Sequence, residues 1–233
     1  ARTVERNSQP LLSLLLLSRS LMSELKQECN NSFAMEEKGC LMLYRSAAAE
    51  KHERVLAEQA RRFGLQTEQL SPGDIQALET DTEVDIRGGV LYLDDAHLQP
   101  VAFMNTLKEK LTERGVQFRL GLNVMSFKND GSKVQMVSTE TETFYCDALI
   151  LATGAWLPKH TRLLGMRLPL QAGKGYSISF PEANPSLNYP AILVERRVAM
   201  TPMGNMLRMG GTMEISGLQS PPLVNRAKAI FDA

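Results

Sequence analysis

The residues of this chain whose types and spacing could do chemistry lie in strand-like runs, not in an acid and base pair. In "NMLRMGGT" strand alternation puts Leu207 and Met209 on one face and Arg208 on the other. A planar, two-pronged cation would then project from a sheet beside glycines that leave room for a ligand. A carboxylate suits that fork; a solvated strand arginine is the competing reading. Arg196 and Arg197 in "LVERRVAM" are rivals, one on each face of the expected strand. Tyr176 in "GYSISF" offers its hydroxyl to a ligand or, equally well, to the surrounding core, and Lys174 belongs to a glycine-flanked turn. In "LILATGAW" a buried-strand run from Ala148 to Ala152 stops at Thr153 and Gly154, as an α/β strand does where it delivers its backbone to a ligand. Gly154 permits close backbone approach. Trp156 is the only tryptophan, with an indole donor that wants a partner if buried, as in a core or at a junction between sheets.

Other chemistries find no support. No set of the 16 glycines forms a Gly-x-Gly-x-x-Gly loop, so "LILATGAW" reads as half of a nucleotide site. Ser177 has no nucleophile elbow around it. Cys29, Cys40 and Cys146 lack Cys-x-x-Cys spacing, and with three histidines they predict no metal centre. Cys146 reads as a small core thiol in a reducing, cytoplasmic compartment. With 26 basic and 26 acidic residues there is no basic stripe for nucleic acid, so a small-molecule partner is expected. The apolar run from Leu11 is too short to span a bilayer, and the polar opening "ARTVERNSQP" does not read as a signal peptide. Both ends read as cut, so an internal portion of a longer protein is expected.

These residues must be held by a mixed set of elements. Pro10 is expected to open a helix that runs to about Gln27, and "FAMEEKGCLMLYRS" to form a hairpin about Gly39. "AAAEKHERVLAEQARRFG" reads as an amphipathic helix stopped by Gly64. Ser71, Pro72 and Asp74 form a capping box that starts a short helix. From Gly88 come a strand, a helix ended by Gly115, strand material in "VQFRLGLNVMSF", and a hairpin leading into "LILATGAW". A β-rich block with a tight turn at "MGNM" follows, then a helix in "PPLVNRAKAIFDA".

In that last block "PLQAGKGYSISF", "VAMTP" and "LRMGGTMEISG" closely resemble the bacterial FAD-dependent D-amino acid dehydrogenases, within the broader D-amino acid oxidase, glycine oxidase and sarcosine oxidase superfamily. "ILATGAW", "LNVMSF" and "GGVLYLDDAHLQPVAFMNTLKEKLTERGVQF" fit the same family, so the resemblance covers about Pro10 to Gly217. It implies an α+β (mixed α/β) fold: a substrate-binding domain with a mixed β-sheet and flanking helices, plus part of a three-layer FAD-binding domain. The expected divisions are 1–87 for the helical and hairpin part of the substrate domain, 88–157 for the partial FAD domain, and 158–233 for the β-rich substrate part.

The resemblance further implies FAD as cofactor and oxidative deamination of D-amino acids to 2-oxo acids, as part of amino acid catabolism. Val124, Thr153, Gly154 and Trp156 would lie on the cofactor, and Arg208 and Tyr176 on the substrate. Because the flavin performs the redox step, no catalytic acid or base is expected from the protein. The chain by itself is expected to bind FAD poorly and to be inactive, since the family's Gly-rich pyrophosphate loop is not in it. Glycine or sarcosine oxidation, 2-hydroxyacid dehydrogenation and a non-catalytic binding module are the alternatives. Oxygen and a membrane quinone remain open as electron acceptor, and a site at the inner face of the membrane is compatible with either.

Overall fold

The computed structural model describes residues 2–131, 133–183 and 187–233, and side chains from residue 7 onward. The chain folds into mixed helices and strands, with two compact units: residues 1–111, 176–212 and 223–233 form the first, and residues 112–175 and 213–222 the second.

The first unit is built on the sheet β2-β3-β1-β8-β9-β10-β7. Its strands are β1 (Cys40–Tyr44), β2 (Thr67–Leu70), β3 (Gly88–Tyr92), β7 (Lys174–Pro181), β8 (Ala191–Leu193), β9 (Val198–Met203) and β10 (Met206–Glu214). The sheet is mixed: β1 pairs antiparallel with β3 and parallel with β8. Strand alternation decides the core. Leu41 and Leu43 of β1 and Leu91 of β3 pack with Ile75, while Tyr44 and Val90 point to the other face and pack with Ala57. Helices therefore cover both faces, α3 (Pro72–Leu78) supplying Ile75 and α2 (Ala47–Arg62) supplying Ala57. The capping box is present as expected: Ser71 Oγ accepts from Asp74 N at 3.2 Å, and Ser71 N donates to Asp74 Oδ2 at 2.9 Å. A third cluster, Cys29, Phe33 and Met35, joins the end of α1 (Arg2–Glu28) to the start of α4 (Pro100–Glu113), with Phe33 and Phe103 edge to face at 5.3 Å.

The second unit carries the sheet β4-β5-β6, from β4 (Val124–Asn129), β5 (Val134–Thr139) and β6 (Thr143–Tyr145), followed by a 3-10 turn (Gly154–Trp156) and α5 (Leu157–Leu163). Helix α6 (Val224–Phe231) returns to the first unit, where Ile230 is buried against the β10 backbone at Gly211.

Several expectations need correction. Pro10 lies inside α1 instead of opening it. A proline removes one ladder bond and crowds the carbonyl four residues back, a local cost that the turns on either side of Pro10 outlast in this 27-residue helix. No hairpin turns about Gly39: β1 finds its partners far along the chain, and the 33–39 stretch contributes a single bridge, Glu36 to His97. Gly39 has φ +90 because a Cβ there would sit 2.6 Å from the carbonyl oxygen of Tyr92, so the glycine marks close approach to β3. Ala148–Ala152 lies outside every strand and is not buried, Ile150 being 89 % exposed. Apolar content alone cannot create a strand without a neighbouring ladder. The same holds for 116–123, where only Val124 onward pairs. Arg196 and Arg197 occupy the turn between β8 and β9, Arg197 at φ +53, so neither projects from a strand face. Lys174 begins β7, and Cys146 is half-buried with Sγ 3.8 Å from the Val134 carbonyl, not a core thiol. The turn at "MGNM" is as expected: Gly204, at φ +66, takes the first central position of a two-residue connection.

One buried acid carries a pH prediction. Glu53 of α2 is 2 % exposed, and its Oε2 has no hydrogen-bond partner among the described residues. Burial pushes its carboxyl above the ordinary range, with the nearby His52 opposing. A folded-state value raised above the unfolded one means stability is intact below the ordinary carboxylate range. It is lost as pH rises from there through the folded value. Glu53→Met should therefore stabilise the chain by about 1–2 kcal/mol at pH 8 and by almost nothing near pH 3. Urea unfolding at the two pH values checks this; an equal gain at both would assign the effect to packing.

Candidate functional site

In the first unit Arg208 projects from β10 opposite Thr201 of β9, and its Nη2 donates to Ser177 Oγ of β7 at 3.1 Å. Ser177, Ser179 and Arg208 share an exposed face. Gly210, two residues along β10, lies on the same face, and a Cβ there would meet only ordinary contacts, the Tyr176 carbonyl oxygen at 3.9 Å and Ser177 Cβ at 4.0 Å. No carboxylate of the described residues pairs with Arg208. The guanidinium is thus an exposed fork beside the Ser177 hydroxyl and Gly210, suited to a carboxylate.

Tyr176 faces the other way. Its hydroxyl accepts from Leu223 N at 2.8 Å, at the start of α6, and Phe180 on the same face meets Phe231 of α6 at 6.3 Å. Successive strand residues point to opposite faces, so the structure separates Tyr176 from Arg208.

In the second unit Val124 begins β4, half-buried and paired with Thr139. Thr153 precedes the 3-10 turn, Gly154 has φ +50 with open space where a Cβ would be, and Trp156 is 57 % exposed. Thr153 is linked to α5 and to β4 by a residue that the sequence reading passed over. His160 of α5 lies with Nδ1 3.2 Å from Thr153 Oγ1 and its ring edge-on to Phe127 of β4 at 6.3 Å. The available signal was Pro158 near the start of "LPKHTRL", which marks a helix that would bring His160 back to Thr153. Beside this turn, a cavity of about 500 Å³ is lined by Leu149, Leu151, Leu157, Thr161 and Leu164.

A flavin fits these residues as one wall of its site. The turn offers backbone with free space at Gly154, an exposed aromatic ring at Trp156, and an extended segment, Ala148–Ala152, whose backbone belongs to no ladder. Among the described residues no cluster of His, Cys, Asp or Glu could hold a metal ion.

The sequence profile of the FAD dependent oxidoreductase family matches residues 2–233. The chain belongs to that family. Within this oxidoreductase family, it is 29 % identical over 234 residues to a D-amino acid dehydrogenase of Paramagnetospirillum magneticum, covering 98 % of this chain and 55 % of that protein. It is 30 % identical to the D-amino acid dehydrogenase of Methylobacterium nodulans, covering 91 % and 52 %. The chain spans about half the length of the curated relatives it matches. Among solved structures, the fold matches glycine oxidase from Geobacillus kaustophilus with a TM-score of 0.83 at 20 % identity, over 96 % of this chain and 61 % of that one. L-proline dehydrogenase from P. horikoshii matches with a TM-score of 0.77 at 16 % identity, over 92 % and 59 %. The mixed α and β fold is thus shared with these solved structures.

Proposed function

We propose that this oxidoreductase chain serves the FAD-dependent oxidation of D-amino acids to 2-oxo acids and ammonia. The observation that carries the reading is Arg208, an exposed fork without a carboxylate partner among the described residues, on a face with Gly210 and the Ser177 hydroxyl. D-amino acid dehydrogenases matched over more than nine-tenths of the chain support the substrate class.

Arg208 binds the substrate carboxylate through two parallel N–H donors, which fixes the carboxylate plane and with it the direction of the Cα–H bond. Ser177 holds one prong of the guanidinium in place. FAD, when bound, supplies the acceptor for the hydride that leaves Cα. Water then adds to the released imine, giving the 2-oxo acid and ammonia. Thr153, Gly154 and Trp156 contribute one wall for the cofactor, and Val124 a strand end beside it. Tyr176 serves the fold by holding the start of α6. We assign the first unit to substrate binding and the second to part of the FAD-binding domain. Among the described residues no helix is long and apolar enough to cross a membrane. Our reading places the protein in the cytoplasm, at the inner face of the membrane where a membrane electron acceptor is used.

The test is product stoichiometry. The gene product at its full encoded length, supplied with FAD and an artificial electron-accepting dye, should release 2-oxo acid and ammonia in equal amounts from D-amino acids. Turnover of a 2-hydroxy acid without ammonia would sink this reading.

A further inference from the structure

Thr153 stands at the cap of the 3-10 turn but makes no side-chain cap bond. Elsewhere in the chain cap hydroxyls behave otherwise: Ser46 accepts from Ala49 N, and Ser71 accepts from Asp74 N. A hydroxyl at such a position normally returns to nearby backbone amides. At Thr153 it is drawn away to His160 Nδ1, 3.2 Å off, and the imidazole is itself steadied edge-on against Phe127.

We propose that His160 is a positioning residue for the cofactor, fixing the direction of the Thr153 hydroxyl and so the polarity it presents to the flavin. With Nδ1 unprotonated, the hydroxyl donates to the ring and both of its lone pairs stay available as acceptors. With Nδ1 carrying the hydrogen, the hydroxyl accepts from the ring and its own hydrogen is free to donate outward. In the first tautomer the hydroxyl hydrogen is held in one orientation, and in the second it is turned away from the ring; either restriction lowers the ordering cost of binding. The inference rests on the reading that Thr153 faces FAD, and it concerns a group that does not itself touch the cofactor.

The experiment is a double-mutant cycle read by FAD affinity, not by turnover. The gene product at its full encoded length is stripped of flavin, and FAD is titrated back by the quenching of its fluorescence, with the melting temperature of each apoprotein recorded. Thr153→Val and His160→Leu should each weaken FAD binding about threefold to tenfold, and the double variant should bind no more weakly than Thr153→Val alone. His160→Asn, which places an amide near the position of Nδ1, should stay within about twofold of the unaltered protein. Effects that multiply in the double variant, or an asparagine as poor as the leucine, would overturn the role of His160 while leaving Thr153 on the cofactor. Thr153→Val without effect on affinity would remove Thr153 from the flavin and the inference with it.

Discussion

Arg208→Ala should lower kcat/KM for D-amino acids by about 2–4 kcal/mol, which is about 30-fold to 1000-fold. The size follows from losing a charge-assisted, bidentate contact with a carboxylate. Most of the loss should appear as a raised KM, because the carboxylate is bound in the ground state as well as in the transition state. Arg208 is exposed and its one hydrogen bond among the described residues is to Ser177, so the fold should not suffer; unfolding free energy should move by less than about 0.5 kcal/mol. Arg208→Lys should recover only part of the efficiency, since an ammonium cannot present two parallel donors. A change in kcat/KM below about 0.5 kcal/mol for Arg208→Ala would take the residue out of the substrate site.

Glu79→Ala should destabilise the chain by about 3–4 kcal/mol. Glu79 ends α3, is 1 % exposed, and accepts two backbone donors from far along the chain: Asn188 N at 2.7 Å and Tyr189 N at 2.9 Å. The Asn188 side chain donates back to the Leu78 carbonyl at 3.1 Å. This clamp fixes the segment that leads into β8, the strand that joins β1 to the β9 and β10 hairpin. Burial raises the Glu79 carboxyl, while the two amides act against that shift. Removing the carboxyl leaves both amides without a partner in a dry site, a larger cost than losing the bonds alone. Glu79→Gln keeps one acceptor and should lose about half as much. Denaturant unfolding measures both; a loss below about 1 kcal/mol for alanine would show that the clamp is solvated or dispensable.

The legible part of this molecule was local. Ser71 with Asp74, the glycine at the "MGNM" turn and the helix of 100–113 are each decided within a few residues, and each appears as expected. What failed depended on distant partners. The stretch around Gly39 alternates like a hairpin, yet β1 is paired by β3 and β8 at separations no local pattern encodes. "ALILA" has the composition of a central strand, but a strand needs a ladder, and the described residues place none beside it. The candidate site divides along the same line. Alternation correctly put Arg208 opposite Leu207 and Met209, because that periodicity is intrinsic to β10. Alternation also sets Tyr176 against the face that carries Arg208, which only becomes evident once β7 and β10 lie side by side. His160 was invisible because its relation to Thr153 runs through α5, a short helix whose only marker is one proline.

The most direct measurement of the central claim is the visible spectrum of the full-length gene product, loaded with FAD and mixed without oxygen with single D- and L-amino acids, glycine, sarcosine and 2-hydroxy acids. The account predicts that the flavin band bleaches with D-amino acids and persists with their L-enantiomers and with 2-hydroxy acids. A flavin that binds but is bleached only by glycine, sarcosine or a 2-hydroxy acid would contradict it.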